Sequence, residues 1–525
     1  MKKEQQMTTP PGVDASFDPP RNWKALNWKA LRQQVRRLQV RIAKAIKNGD
    51  RRKASALQWL LTHSQAAKLL AVRRVTTNRG AKTPGVDNVI WRTDRQKFQA
   101  ADNLKRHGYK PKPLRRIYIP KKNGKLRPLS IPTLHDRAMQ ALHALALAPV
   151  AETLADTHSY GFREGRSCAD ALEHVHLVLC RQCSPQWVLE GDIKACFDEI
   201  SHAWLLQHVL MDRQILRKWL QAGYWEKGRL FPTQQGTPQG GLISPLLANI
   251  ALDGMQRALA QAVPNKGSKV NLVRYADDFI VTGVTKELLE QKVKPALTAF
   301  LTPRGLELSE QKTVITHISN GFNFLGHTVR QFGDKVLTRP AKSNTKTFRD
   351  KIRRCIQSAL GFSQEMLLRQ LNPLIRGWAN YYRQAAAKRT FHRLDHYIFW
   401  QLWRWVKRRH PDKSAQWKQR KYFSAAGENW LFSVRLTKEE GQSQVLSLYR
   451  AASTTIRRHT KIRGAANPYD PDYTRYFEAR RPKDRRWRPT AGDLTPKSPR
   501  PTRIVAHWLQ FAAACPHSGA PVGAA

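Results

Sequence analysis

Apolar residues recur along this chain with two periods, and the alternation between them marks out its elements. Near the N-terminus Leu31, Val35, Leu38, Ile42 and Ile46 fall three or four residues apart, with Arg32, Arg36, Arg37, Arg41, Lys44 and Lys47 largely between them. That is an amphipathic helix with a basic face, ending near Asn48-Gly49; the face is either merely solvated or grips RNA. A second helical pattern covers 52–75, and a Gly- and Pro-rich loop follows. Ile117-Tyr118-Ile119 and 126–131 then read as two strands joined at Asn123-Gly124, the strongest short hairpin signal. Helical patterns at 134–150 and 168–182 flank the loop SYGFREGRS (159–167), after which an apolar run from Trp187 leads directly into Asp192 as a core strand would. A Gly-rich loop at 233–249 opens a helix predicted to continue to about Ala262, and another helix is predicted over 286–301. From about Thr347 to Val406 helical periodicity dominates, with aromatics at helical spacing that read mostly as packing.

Charges interrupt this pattern at Leu272-Val273-Arg274-Tyr275-Ala276-Asp277-Asp278-Phe279-Ile280, where two adjacent carboxylates split an apolar run. Turn chemistry between two buried strands predicts a hairpin with carboxylates at its tip. Like charges side by side call for a cation, and hard oxygen donors suit Mg²⁺. A lone Asp-Asp pair is more often an ordinary turn, and a lone strand-end Asp such as Asp192 more often a cap. Taken together, a strand-end Asp and a hairpin Asp-Asp are what two-metal phosphoryl transfer requires, with ions about 4 Å apart serving the attacking hydroxyl and the leaving pyrophosphate. The basic hairpin, with Arg115, Arg116, Lys121, Lys122, Lys125 and Arg127, can clamp a triphosphate, or can be simply solvated. Gly240-Gly241 allows close backbone approach to a ligand at a helix start.

Composition extends the picture to partners. At 525 residues the chain suggests roughly three or four folded units. Its 91 Lys plus Arg against 39 Asp plus Glu, net +52, cannot be balanced internally. Spread along the chain and interleaved with Trp, Tyr and Phe, these cations favour a nucleic acid over an acidic membrane surface. Six cysteines (Cys168, Cys180, Cys183, Cys196, Cys355, Cys515) make no secreted framework, and Cys180 and Cys183, a lone C-x-x-C, read as helix-borne thiols. With no apolar signal core in 1–20 and no run near the ~18 residues of a membrane span, a cytoplasmic protein without a membrane partner is expected. Residues 1–22 and the Pro- and Arg-rich stretch 481–503 are expected to be unstructured.

The motifs YIPKKNGKLRPLSIPT, SYGFREGRS, LEGDIKACFDEISH, GTPQGGLISPLLANI, YADD, FNFLGH, IRGWANYYR and KIRGAANPYDP follow one another in order. Over 78–478 the chain thereby resembles the reverse transcriptases encoded by bacterial group II introns. The resemblance implies an α+β right-hand polymerase, with fingers and an antiparallel-sheet palm, then an all-α thumb (maturase domain X) and a basic C-terminal DNA-binding region. The implied divisions are a flexible N-terminus (1–22), a helical RNA-binding extension (23–88), fingers with the start of the palm (89–185), palm (186–346), thumb (347–423), DNA-binding region (424–480) and a basic tail (481–525).

The resemblance also implies roles. Asp192 and Asp277 would be the main ligands of two Mg²⁺ ions, with Mn²⁺ the alternative, joined by Asp278 and the Ile193 backbone. Phe197, five residues beyond Asp192, would lie beneath the incoming sugar and select deoxynucleotides, or else be an ordinary core Phe. Lys121, Arg127 and Arg115 would hold the triphosphate, Gln239 and Gly240 would lie against nucleotide and template, and Lys312 would protonate pyrophosphate. The implied function is RNA-directed DNA polymerisation together with maturase binding of the intron RNA, promoting splicing and retrohoming. Its partners would be that RNA, a DNA target and primer, and deoxynucleoside triphosphates, in a bacterial cytoplasm and associated with nucleoid or ribonucleoprotein. Many members of the family end in an HNH nuclease, whereas Cys515-Pro516-His517 alone cannot build one, so second-strand cleavage is not expected. Two rivals stand beside this reading: a non-catalytic RNA-binding splicing factor, and a domesticated reverse transcriptase in repair or defence.

Overall fold

The predicted basic helix forms as Trp28–Lys47, burying Val35, Ile42 and Ile46, with the Asn27 side chain accepting from the Ala30 N–H. These details come from a computed structural model, which describes residues 22–480 apart from 121–123, 125, 428, 429 and 438–442. The expectations for the N-terminal tail, the 481–525 tail with Cys515, and Lys121, Lys122 and Lys125 lie outside the described residues. The single helix expected over 52–75 is two, Arg51–His63 and Gln65–Thr76, because Ser64 adopts extended backbone between them. All three pack on the long helix Leu134–Leu154, which is buried nearly all round. Gln39 and Gln58 donate to the carbonyls of Leu145 and Ala146 on that helix, so these two buried amides are satisfied.

In chain order the strands are β1 (Leu114–Pro120), β2 (Leu126–Ile131), β3 (Trp187–Asp192), β4 (Tyr224–Glu226), β5 (Arg229–Phe231), β6 (Asn271–Tyr275), β7 (Asp278–Gly283) and β8 (Val314–His317). One four-stranded sheet, ordered β2-β1-β4-β5, contains the expected β1–β2 hairpin. A second, ordered β6-β7-β3-β8, is antiparallel throughout. Its two faces feed different cores: Leu189, Leu272, Phe279 and Val281 join the large helical core, while Val188, Val273, Tyr275 and Ile280 join a second cluster with Tyr160, Val175 and Phe322. Burial on both faces explains why β6 and β7 read as continuous apolar runs rather than alternating ones. A three-stranded sheet follows, β9 (Phe322–Phe324), β10 (His327–Phe332) and β11 (Lys335–Pro340).

Two predicted helices are interrupted. The one expected to run to Ala262 divides into Ser244–Leu252 and Met255–Ala262 at Gly254, whose φ of +98° no helix accommodates. The one over 286–301 contains a π turn at Leu289–Val293. Pro295 lacks an N–H and crowds the carbonyl four residues back, Gln291, which lies inside that turn.

The C-terminal region is helical, with Lys342–Ser358, Gln364–Tyr382, Lys388–Arg409 and Ala415–Phe423 around a core of Ile352, Leu371, Phe391, Leu402 and Trp405. The aromatics are largely internal, as their spacing predicts, and Trp405 donates from its indole to the Ala359 carbonyl at 2.9 Å. The hairpin β12 (Ser433–Thr437) and β13 (Ser443–Ser447) packs on the same core through Phe432 and Val434. Beyond it, residues 459–480 run back to the first half of the chain. Among the described residues no helix is long and apolar enough to cross a membrane. Cys180 caps the helix Cys168–Leu179 and Cys183 lies in the turn beyond, so these thiols follow the helix rather than ride on it.

Candidate active site

The carboxylate hairpin is as tight as a hairpin can be. Tyr275 pairs with Asp278, leaving Ala276-Asp277 as a two-residue loop, and only its first position has positive φ (Ala276, +58°), as in a type II′ turn. β3 runs antiparallel beside β7 in a register that sets Asp192 opposite Asp278. Three carboxylates thus meet at one end of the sheet: one ending a strand, one starting its neighbour, and Asp277 on the turn between β6 and β7. Asp278 is buried, while Asp192 and Asp277 are half-buried. Burial raises the Asp277 carboxyl above its usual range, and the charge of Asp192 adds to this, while Arg127 and Lys312 pull the other way.

Lys312 stands 2.8 Å from Asp192 Oδ2. The segment carrying it is fixed to the end of β3: Ser309 N–H donates to the Asp192 carbonyl at 2.8 Å, Ile193 bridges to Leu308, and Lys194 N–H donates to the Glu307 carbonyl. Among the described residues no three His, Cys, Asp or Glu side chains form a preformed cage for one ion. The donor set nevertheless fits a hard divalent cation, being all oxygen, mutually repelling, and including a carboxyl destabilised by its neighbour. Mg²⁺ characteristically takes only one or two carboxylates and completes its shell with water and substrate phosphates.

A chain of hydrogen bonds carries the site to the basic hairpin. Arg127 Nε donates to Gln239 Oε1 at 2.7 Å, and Gln239 Nε2 donates to Asp198 Oδ2 at 2.6 Å. The Ser130 N–H donates to the Gln239 carbonyl at 2.8 Å, stitching the Gly-rich loop to β2. A Cβ on Gly240 would lie 2.8 Å from the Ser130 carbonyl oxygen, and its φ is +115°, so only glycine fits this close approach. The Phe197 ring is half-buried, edge-to-face with Phe162 at 6.3 Å, while its carbonyl accepts from the Thr237 N–H. Arg115 stands apart: it lies on β1 opposite Ile131, and its charge acts on Arg137. The structure therefore gathers Asp192, Ile193, Asp277, Asp278, Phe197, Gln239, Gly240, Arg127 and Lys312, leaves Arg115 on the neighbouring strand, and does not describe Lys121.

Beneath the turn lies a polar support that reading the sequence missed. Arg274 is fully buried, paired with Asp253, and donates to Asn249 Oδ1 at 3.2 Å and to the Ala276 carbonyl at 3.3 Å. Asn249 in turn donates to the Gly161 carbonyl at 2.8 Å. The loop 159–167 lies along β6, its Tyr160 N–H donating to the Arg274 carbonyl, and Gly161 touches the turn itself. A charge inside an apolar strand, and an Asn and Asp four residues apart in the sequence, were the available signals.

Residues 119–329 match the family model described as reverse transcriptase (RNA-dependent DNA polymerase), and residues 23–104 match the N-terminal domain of reverse transcriptase. The protein is thus of the reverse transcriptase class. Residues 345–423 match the group II intron maturase-specific domain. The chain is 35% identical over 305 residues to Protein YkfC of Escherichia coli (strain K12), covering 49% of this chain and 78% of that one. It is 27% identical over 513 residues to the group II intron-encoded protein LtrA of Lactococcus lactis subsp. cremoris, covering 75% and 84%. A 91 kDa protein in the cob intron of Schizosaccharomyces pombe is 29% identical over 397 residues, covering 60% of this chain and 49% of that one. The chain belongs to the group II intron-encoded reverse transcriptases and maturases, RNA-directed DNA polymerases with nucleic-acid partners.

Proposed function

We propose that Asp192, Asp277 and Asp278 are the catalytic carboxylates of this polymerase and, with the Ile193 backbone, hold two Mg²⁺ ions, or Mn²⁺ in their place. The observation that carries this is the register of β3 against β7, which sets Asp192 opposite Asp278 with Asp277 on the adjoining turn. When bound, such ions lower the pKa of the primer 3′-hydroxyl and offset charge on the α-phosphate and pyrophosphate. The chain's own groups supply the rest. Arg127, held by Gln239, directs a forked cation at the triphosphate, with Lys121 and Arg115 as further cations of the same hairpin. Lys312 carries an ammonium to the carboxylate cluster and is the proton donor for departing pyrophosphate. Phe197 lies under the deoxyribose, where a 2′-hydroxyl would collide, and Gln239 and Gly240 line the nucleotide and template.

In this reading 89–185 are fingers, 186–346 palm and 347–423 a thumb that grips duplex. The 23–88 helices and the thumb bind the intron RNA for splicing and retrohoming, and target DNA is contacted from within 424–480. The protein works in the bacterial cytoplasm, on nucleoid or ribonucleoprotein. Primer extension on an RNA template tests the assignment. Asp277→Asn should abolish cDNA while intron RNA affinity stays within about twofold, since binding rests on dispersed phosphate contacts. Equal cDNA from wild type and variant would sink it.

A further inference from the structure

Residues 459–480 fall in the segment expected to bind DNA, yet several of their side chains are engaged by the polymerase. Asp170, almost fully buried, receives three donors from this strap: His459 Nε2 at 2.9 Å, Ile462 N–H at 2.7 Å and Arg480 Nη2 at 2.9 Å. Arg166, also buried, donates to the Gly464 carbonyl at 2.7 Å and to the Thr157 carbonyl, just before its own loop, at 3.0 Å. Tyr469 donates to Glu164 at 3.0 Å, and the Phe477 ring sits where a Cβ on Gly165 would be, 2.7 Å away. Ile462 and Ala466 are buried in the cluster that contains Tyr275 and Ala276. The same strap reaches the N-terminal helix, where Arg36 lies 4.6 Å over the Tyr469 ring and Lys47 pairs with Asp470 at 3.0 Å.

These contacts converge on the loop 159–167 and on Asp170 in the first turn of the helix that follows, which accepts from the loop's Ser167 hydroxyl at 2.7 Å, and that loop abuts the catalytic turn. Tyr160 and Arg274 share a backbone hydrogen bond, Asn249 links Gly161 to Arg274, and Gly161 lies against Ala276. Without the strap, the buried Asp170 would lose three donors and Arg166 two carbonyl acceptors, which costs far more than losing an exposed pair. The loop would then have to move to rehydrate them.

We propose that 459–480 is a working part of the polymerase, holding the loop 159–167 and through it the Tyr275–Asp278 turn, with Arg166 and Asp170 as positioning residues for DNA synthesis. This rests on Asp277 being catalytic. In the full chain, His459→Ala with Arg480→Ala removes two strap donors whose side chains are 26% and 21% exposed. Asp170→Asn keeps the shape and removes the charge, and Arg475→Ala, an exposed strap cation, controls for lost basicity. Each is assayed by primer extension across Mg²⁺ concentrations, with thermal melting and intron RNA and target DNA affinity. The double variant and Asp170→Asn should lower kcat about tenfold or more, as small misplacement of reacting groups does. They should also raise the half-saturating Mg²⁺ concentration, with KM for primer-template and both affinities held.

A kcat and Mg²⁺ profile matching Arg475→Ala in the double variant would overturn the proposal. So would lost DNA affinity at unchanged kcat, which would return the strap to a nucleic-acid contact. Full activity in Asp277→Asn would instead locate the failure in the carboxylate assignment.

Discussion

Gly161 shows how closely single residues set this site. A Cβ there would lie 2.4 Å from the Ala276 nitrogen and 2.9 Å from the Tyr275 carbonyl carbon, both backbone atoms of the turn. Gly161→Ala must therefore displace the turn, and a displacement of about 1 Å at reacting groups costs on the order of 10²-fold in rate. We expect a loss of that size in kcat for single-nucleotide extension, with a folded protein by thermal melting; an unchanged kcat would show that the turn tolerates movement. Asp277 makes the complementary case. Its carboxyl is raised in the folded state by burial and by Asp192, so the folded protein favours the protonated form. The stability this provides is present below the unfolded carboxylate pKa of about 4 and is lost as pH rises through the higher folded value. Without divalent cations, Asp277→Asn should therefore melt higher than wild type at about pH 8 and converge with it in acid. A lower melting temperature at alkaline pH would contradict the raised carboxyl. The aspartates were legible because carboxylates inside apolar runs need explaining. The buried arginines of the loop 159–167 were not, because Arg163 and Arg166 look like surface cations until their partners, Glu152 and Gly464, are brought in from elsewhere in the chain.

At the scale of elements, period and turn chemistry carried the reading where one element makes its own case. The hairpin at β1–β2, the apolar run of β3 and the basic N-terminal helix are of this kind. It failed where tertiary contacts dictate backbone. The helix starting at Ser244 stops at Leu252 because Asp253 leaves it: its carboxylate pairs with Arg274, and Gly254 and Gln256 donate their N–H groups to Asp156. Gly254, at φ +98°, makes that break, and its added Cβ would have room, with the Phe300 ring 3.6 Å away. The cost of Gly254→Ala is thus conformational rather than steric. About 1–2 kcal/mol of destabilisation is expected for an L-residue held there, read from denaturant midpoints with the m-value unchanged. A neutral result would mean that the break is set by Asp253 and Asp156 alone. The strap 459–480 was equally illegible as a support, having no period to read: its identity lies in which loop it touches.

Charge belongs to the whole molecule, and it divides into two populations. Arg137, Arg163, Arg166 and Arg274 are buried and bonded to carbonyls or carboxylates, so they hold the fold and are closed to other partners. Most of the 91 basic residues are not of this kind, and only 39 acidic ones oppose them. The exposed excess should act by displacing counterions from nucleic-acid phosphates, a term that weakens steeply with salt. If some 6–10 phosphates are engaged, affinity for primer-template should fall about 10³–10⁵-fold between roughly 50 and 200 mM salt. The two populations predict a split in kinetics. KM for primer-template should carry that salt slope, whereas kcat at saturating template should hardly move, because screening by salt is weak for buried pairs. A kcat that falls with salt as steeply as affinity does would mean that exposed cations, rather than the buried network under the turn, keep the carboxylates in place.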